Sequence, residues 1–227
     1  MKVSLCFLLI GLAAADPARP HLAKAWTAAS TGDGLPGATG QESYLYIDDP
    51  EYSQSGGLRA HLYDYGTQCR KLTVNQFKPT LIERSFYLNC KGINCCYKDN
   101  DIMKKWDFHD SHLLQPVKVS YKGMTNTTEL GGAPVLAEHW HEEDNVAFGA
   151  AKVTYDYFIT RKGEDVITHR IDFGASGVDP GSILYANFTV QHNLTQFVST
   201  FDIPAECQQT IQCPDAHDAE WGVQPKK

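Results

Sequence analysis

Among the 227 residues of this chain, those best suited by type and spacing to chemistry are His139-Trp140-His141-Glu142-Glu143-Asp144. On an extended strand alternate side chains share a face, so His139 and His141 emerge together and can meet a carboxylate from the strand end. Two imidazoles and a carboxylate suit zinc or copper. His139, His141 and Glu143 are therefore the candidate metal ligands, with zinc as the ion this reading implies. The same residues also describe a solvated acidic strand end with Trp140 turned inward.

Nucleophilic catalysis has little to work with. No Gly-x-Ser-x-Gly elbow occurs, and cysteines in an oxidising compartment are consumed by disulfides. His109, Asp110 and His112 offer acid and base groups, but a polar loop accounts for them equally well. The expectation is a protein without catalytic residues. Aromatic residues such as Tyr44, Tyr46, Tyr63, Tyr65, Phe86, Tyr155, Tyr157, Phe158, Phe173, Tyr185 and Phe188 fall mostly in strand-like runs, where they serve a core or line a pocket.

The elements that must position these groups are strands. Residues 152–190 read as three consecutive runs rich in β-branched and aromatic residues, separated by Gly, Asp and Pro, which predicts an antiparallel meander. If the third run extends as far as Asn193, Ile183, Tyr185, Asn187 and Thr189 share an outer face, and Leu184, Ala186, Phe188 and Val190 an inner one. Further strands are expected at 42–47, 81–88 and 117–121, with a hairpin from 57–65 and 70–77. A short helix is expected at 99–114, capped by Asp99, Asn100 or Asp101. The fold class is mainly β: a curled antiparallel sheet, half-barrel or sandwich, with at most one or two short helices and disulfide staples.

Compartment follows from the first fifteen residues. Lys2 precedes the apolar run 5–12, and Ala13-Ala14-Ala15 precede Asp16, the pattern of a signal peptide whose apolar core is too short to span a bilayer. The expected organisation is a signal peptide at 1–15, an irregular leader at 16–41, a single β-rich domain at 42–213 and an acidic tail at 214–227. The product is secreted and extracellular, and no later run suggests a membrane span. The formal charge of -7, with no compensating block of Lys or Arg, argues against nucleic acid as a partner.

Export also sets the role of the cysteines. Cys6 leaves with the signal, and Cys69, Cys90, Cys95, Cys96, Cys207 and Cys213 remain, an even set expected to be fully oxidised. Adjacent Cys95 and Cys96 should go to different partners, because a bond between neighbours forces a strained small ring. At least one should then reach Cys207 or Cys213. Three sequons, at Asn126, Asn187 and Asn193, are expected glycan acceptors on solvent-facing backbone.

The export signal, the sequons, the strand-rich body and Phe201-Asp202-Ile203-Pro204-Ala205-Glu206-Cys207, an F-x-x-P-x-x-C segment, resemble the ependymin-related secreted glycoproteins over Ser43 to Cys207. The resemblance implies a curled antiparallel sheet around a hydrophobic pocket, homodimers, lipid-like ligands and calcium association, with no ligand residues assignable to numbered positions. The function expected is that of a secreted N-glycosylated protein binding an apolar small molecule or lipid. A non-catalytic structural or interaction glycoprotein of the extracellular matrix is the alternative, and a metal-dependent enzyme using His139 and His141 a more distant one.

Overall fold

The computed structural model describes residues 16–31, 39–47, 58–65, 69–76, 82–90, 93–100, 118–148, 151–175, 178–207 and 211–213. The signal segment, the acidic tail, His109, Asp110, His112 and most of the 99–114 helix expectation lie outside these residues. Eleven strands form one open antiparallel sheet, consistent with the mainly β class expected. They are β1 (Ala25–Ser30), β2 (Gly40–Ile47), β3 (Leu58–Asp64), β4 (Arg70–Gln76), β5 (Ile82–Cys90), β6 (Ile93–Asn100), β7 (Lys118–Thr128), β8 (Pro134–Phe148), β9 (Ala151–Lys162), β10 (Asp165–Ala175) and β11 (Val178–Val190). The two-residue β12 (Ile211–Gln212) adds to β6 in parallel, and the order is β12-β6-β5-β4-β3-β2-β1-β11-β10-β9-β8-β7. The only α-helix among the described residues is α1 (Leu194–Val198), followed by 3-10 turns at Ser199–Phe201 and Ala205–Cys207. No described helix is long and apolar enough to cross a membrane.

Three expectations are corrected. The leader 16–41 is not irregular throughout: Ala25–Ser30 forms β1, between β2 and β11, and β2 already begins at Gly40. Its alanines carry little strand signal, but Ala25 and Ala28 are buried, and hydrogen-bonding neighbours on both sides outweigh local propensity. Cys95 and Cys96 lie within β6, and Asp99 and Asn100, expected at the start of a helix, belong to that strand. The third strand stops at Val190, so Asn193 does not share its face; its Oδ1 accepts from the Gln196 amide at 3.3 Å and caps α1.

One apolar core lies on the β1–β6 side. Ala25, Leu45, Ala60, Leu62, Leu72, Phe86 and Leu88 alternate onto one face, and Phe197 and Phe201 from α1 and its following turn cover it. The six cysteines among the described residues are all bonded, as Cys69–Cys90, Cys95–Cys207 and Cys96–Cys213. The neighbours Cys95 and Cys96 take different partners, and both staple the C-terminal segment onto β6.

The β7–β11 side curls. The Leu130 amide, in the β7–β8 turn, donates to the Tyr185 carbonyl on β11 at 3.0 Å, and Glu129 reaches His169 on β10 at 3.3 Å. In a flat sheet β7 and β11 would lie about 19 Å apart, four strand spacings. A second core of Trp140, Tyr157, Ile159 and Val166 forms here, with Leu22 packed against it. Pro20 is fully buried, and Arg161 Nη2 holds the Ala18 carbonyl at 2.7 Å, so part of the leader is fastened to this half.

Candidate ligand-binding face

The histidine pair converges as its spacing predicts, but on a partner that the motif did not contain. His139 and His141 lie opposite Phe158 and Asp156 in the β8–β9 register. His139 Nε2 is 2.6 Å and His141 Nδ1 2.9 Å from the same oxygen, Asp156 Oδ1. Glu143 lies 3.6 Å from His141, too far for a hydrogen bond between them. A zinc ion needs its ligands about 2.0–2.2 Å from a common centre, whereas here the carboxylate itself occupies the position between the imidazoles. No group of three or more His, Cys, Asp or Glu among the described residues is arranged to hold a metal. Trp140 points the other way, 4 % exposed, with its indole N–H on Glu138 at 2.9 Å.

Burial works against charge on Asp156, but the hydrogen bonds and charges of His139 and His141 outweigh it and hold the carboxyl below its usual range. Glu138 is lowered in the same sense by the Arg161 guanidinium, against the opposing effect of its own burial, with the Trp140 N–H assisting. Neither arrangement supplies a nucleophile. Each reads as a cross-strand polar clasp, of the kind that fixes a sheet's register.

The second face of the β1–β3 region is different in kind. Trp26, Ala28 and Ser30 on β1 point away from the Leu45 core, as do Glu42 and Tyr44 on β2 and His61 and Tyr63 on β3. This follows from strand alternation and the register pairs Trp26↔Tyr44, Ala28↔Glu42, Tyr44↔His61 and Glu42↔Tyr63. The rings meet there. Trp26 stacks on Tyr44 at 5.8 Å and on Phe188 at 4.8 Å, with the edge of Tyr185 at 5.6 Å and His61 at 6.3 Å; His61 in turn lies 4.3 Å from Tyr63. Trp26, His61 and Phe188 remain only partly buried, so the rings form a surface and not a sealed core.

A bulge in β11 brings two of these rings together. Thr27 pairs with Thr189 and Ala29 with Ala186, so two steps on β1 match three on β11. Asn187 absorbs the extra residue at φ 55°, a left-handed conformation that Asn tolerates better than most side chains. Alternation breaks there. Tyr185, expected outside with Asn187, is 3 % exposed and shares the aromatic face with Phe188. Leu184, Ala186 and Val190, expected inside, are only partly buried, while Asn187 and Thr189 are exposed as expected. The other sequon asparagines, Asn126 near the end of β7 and Asn193 before α1, are also exposed.

Trp26, Glu42, His61 and Asp156 escaped the sequence reading. Glu42 and Tyr44 are in phase in Glu42-Ser43-Tyr44-Leu45-Tyr46-Ile47, and that alternation was the available sign of a polar group within an aromatic face. No protein-family model matches the chain, and no curated protein matches it.

Proposed function

We propose that the chain is a secreted, N-glycosylated binding protein holding an apolar small molecule or lipid against the Trp26–Tyr44–Phe188 face, without catalysis. One observation carries this reading: the fold already has an apolar core on the opposite face of β1–β3, yet it gathers a second set of rings on a face it leaves partly open. A ring surface that the core does not need is the usual lining of an apolar ligand site. The resemblance to ependymin-related glycoproteins points the same way. Exposed Asn126, Asn187 and Asn193 are compatible with glycans, and three disulfides suit an extracellular protein.

A structural or interaction glycoprotein is the second reading. It draws on Met124 and Leu136, 54 % and 59 % exposed on neighbouring strands β7 and β8, which suit a protein contact or a homodimer. A glycan on Asn126, directly opposite Leu136, would shield that patch. Organic extraction of the purified protein followed by mass spectrometry separates the two. One recurrent apolar compound across several expression hosts is the expected result, and its absence from every host contradicts ligand binding.

A further inference from the structure

The geometry points to Glu42 as the receptor for a protonated amine, making the ligand of the aromatic face an amphiphile with an ammonium head and an apolar tail; this rests on the apolar-ligand reading of that face. Glu42 is 1 % exposed. Its Oε1 accepts from His61 Nε2 at 2.5 Å, but its Oε2 is buried and accepts nothing. A dry carboxylate oxygen without a donor is costly unless something occupies it.

The surroundings define what fits. Glu42 faces Ala28 across β1 and follows Gly40 in phase along β2, so two of its four neighbours on this face carry little or no side chain. At Gly40 a Cβ would sit 2.6 Å from the Asp64 carbonyl oxygen and 3.1 Å from the Tyr65 ring, so the small residue is required there. The other two neighbours are Tyr63 and Tyr44, and Trp26, His61 and Tyr185 stand beyond them. Glu42 therefore presents one unanswered acceptor at the base of the aromatic face, flanked by Tyr44 and Tyr63. Ring faces and a carboxylate together select an organic cation over a neutral or anionic head. His61, a quarter exposed and bonded to Glu42, sets the carboxyl beside the open part of the face, where an apolar tail would run over Trp26 and Phe188.

Isothermal titration of the delipidated, disulfide-bonded mature protein with dodecylamine, dodecanol and dodecanoate, each below its micellar concentration, tests this. The three probes share a tail and differ only in the head. Dodecylammonium should bind at least tenfold tighter than dodecanol, with dodecanoate weakest, and Glu42→Gln should reduce the amine's advantage to less than threefold. The variant separates a specific receptor from general attraction of cations to an acidic protein. Should Glu42→Gln fail to fold, the wild-type ranking together with Trp26→Leu, which removes one ring of the face and should also diminish the preference, decides the matter. Equal binding of amine and alcohol, or a preference that survives Glu42→Gln, overturns the ammonium site while leaving the apolar face standing. If none of the three binds, both fall.

Discussion

The β2–β6 half and the β7–β11 half each bury one face of an antiparallel sheet, and they do so by different means. In the first, the cover comes from far along the chain: Phe197 and Phe201 pack on strands that end by Asn100. Bringing such segments together carries a large loop-closure cost, and this half holds all three disulfides, two of which span 112 and 117 residues. Strand pairing itself is local in both halves, since β2 to β6 and β7 to β11 each follow one another as a meander. The second half curls on itself and carries clasps such as Arg161 on Glu138 at 2.8 Å and His139 and His141 on Asp156, with no covalent staple among the described residues. Two of the three disulfides thus tie the distant C-terminal cover to β6, while the third, Cys69–Cys90, links neighbouring strand ends 21 residues apart.

Reduction should have the largest effect and would break this comparison most directly. Removing Cys95–Cys207 and Cys96–Cys213 together, as alanine variants, should cost upward of about 5 kcal/mol in the chain-entropy model, because either bond left alone still closes the long loop. Hydrogen exchange should then accelerate in β4–β6 and α1 well before β9–β10. Equal acceleration in both halves would mean that they unfold as one unit and the contrast is only geometric.

Truncation in the stapled core comes next. Phe86, 3 % exposed, should cost about 3–5 kcal/mol as Phe86→Ala in thermal or denaturant unfolding. The clasp in the curled half is weaker: Asp156→Asn should cost about 1 kcal/mol near neutral pH. Because its folded value is depressed, Asp156 contributes stability above its unfolded value of about 3.9 and loses it as pH falls through the lower folded value. Melting curves of wild type and variant should therefore converge in strong acid, and a gap unchanged down to that range would refute the assignment. Smallest is the cap on α1, where Asn193→Ala should lower stability by about 0.5–1 kcal/mol. Glycosylation modifies Nδ2 and leaves Oδ1 free to cap, so removing the sequon with Thr195→Ala should cost less than Asn193→Ala.

Much of the curled half was legible because its strands announce themselves: 152–190 alternates β-branched and aromatic residues between turn residues, and it folds as β9, β10 and β11. The β3–β4 hairpin and the divergence of Cys95 and Cys96 were legible for equally local reasons. What escaped depends on neighbours. β1 is built of alanines that become a strand only between β2 and β11, and the Asn187 bulge reverses which residues face inward without any marker stronger than an asparagine. Asp156 sits between two tyrosines, and its meeting with His139 and His141 is set by the β8–β9 register, which no single strand contains.

Phe188→Ala, measured beside Phe86→Ala for both stability and content of extractable apolar compound, tests most directly whether the Trp26 face is a binding surface or a filled core. Phe188 is only partly buried against Trp26, so its truncation should cost less than half as much stability as Phe86→Ala and strip most of the bound compound from the folded protein. A loss of stability equal to that of Phe86→Ala, with compound per folded molecule unchanged, would contradict a binding face.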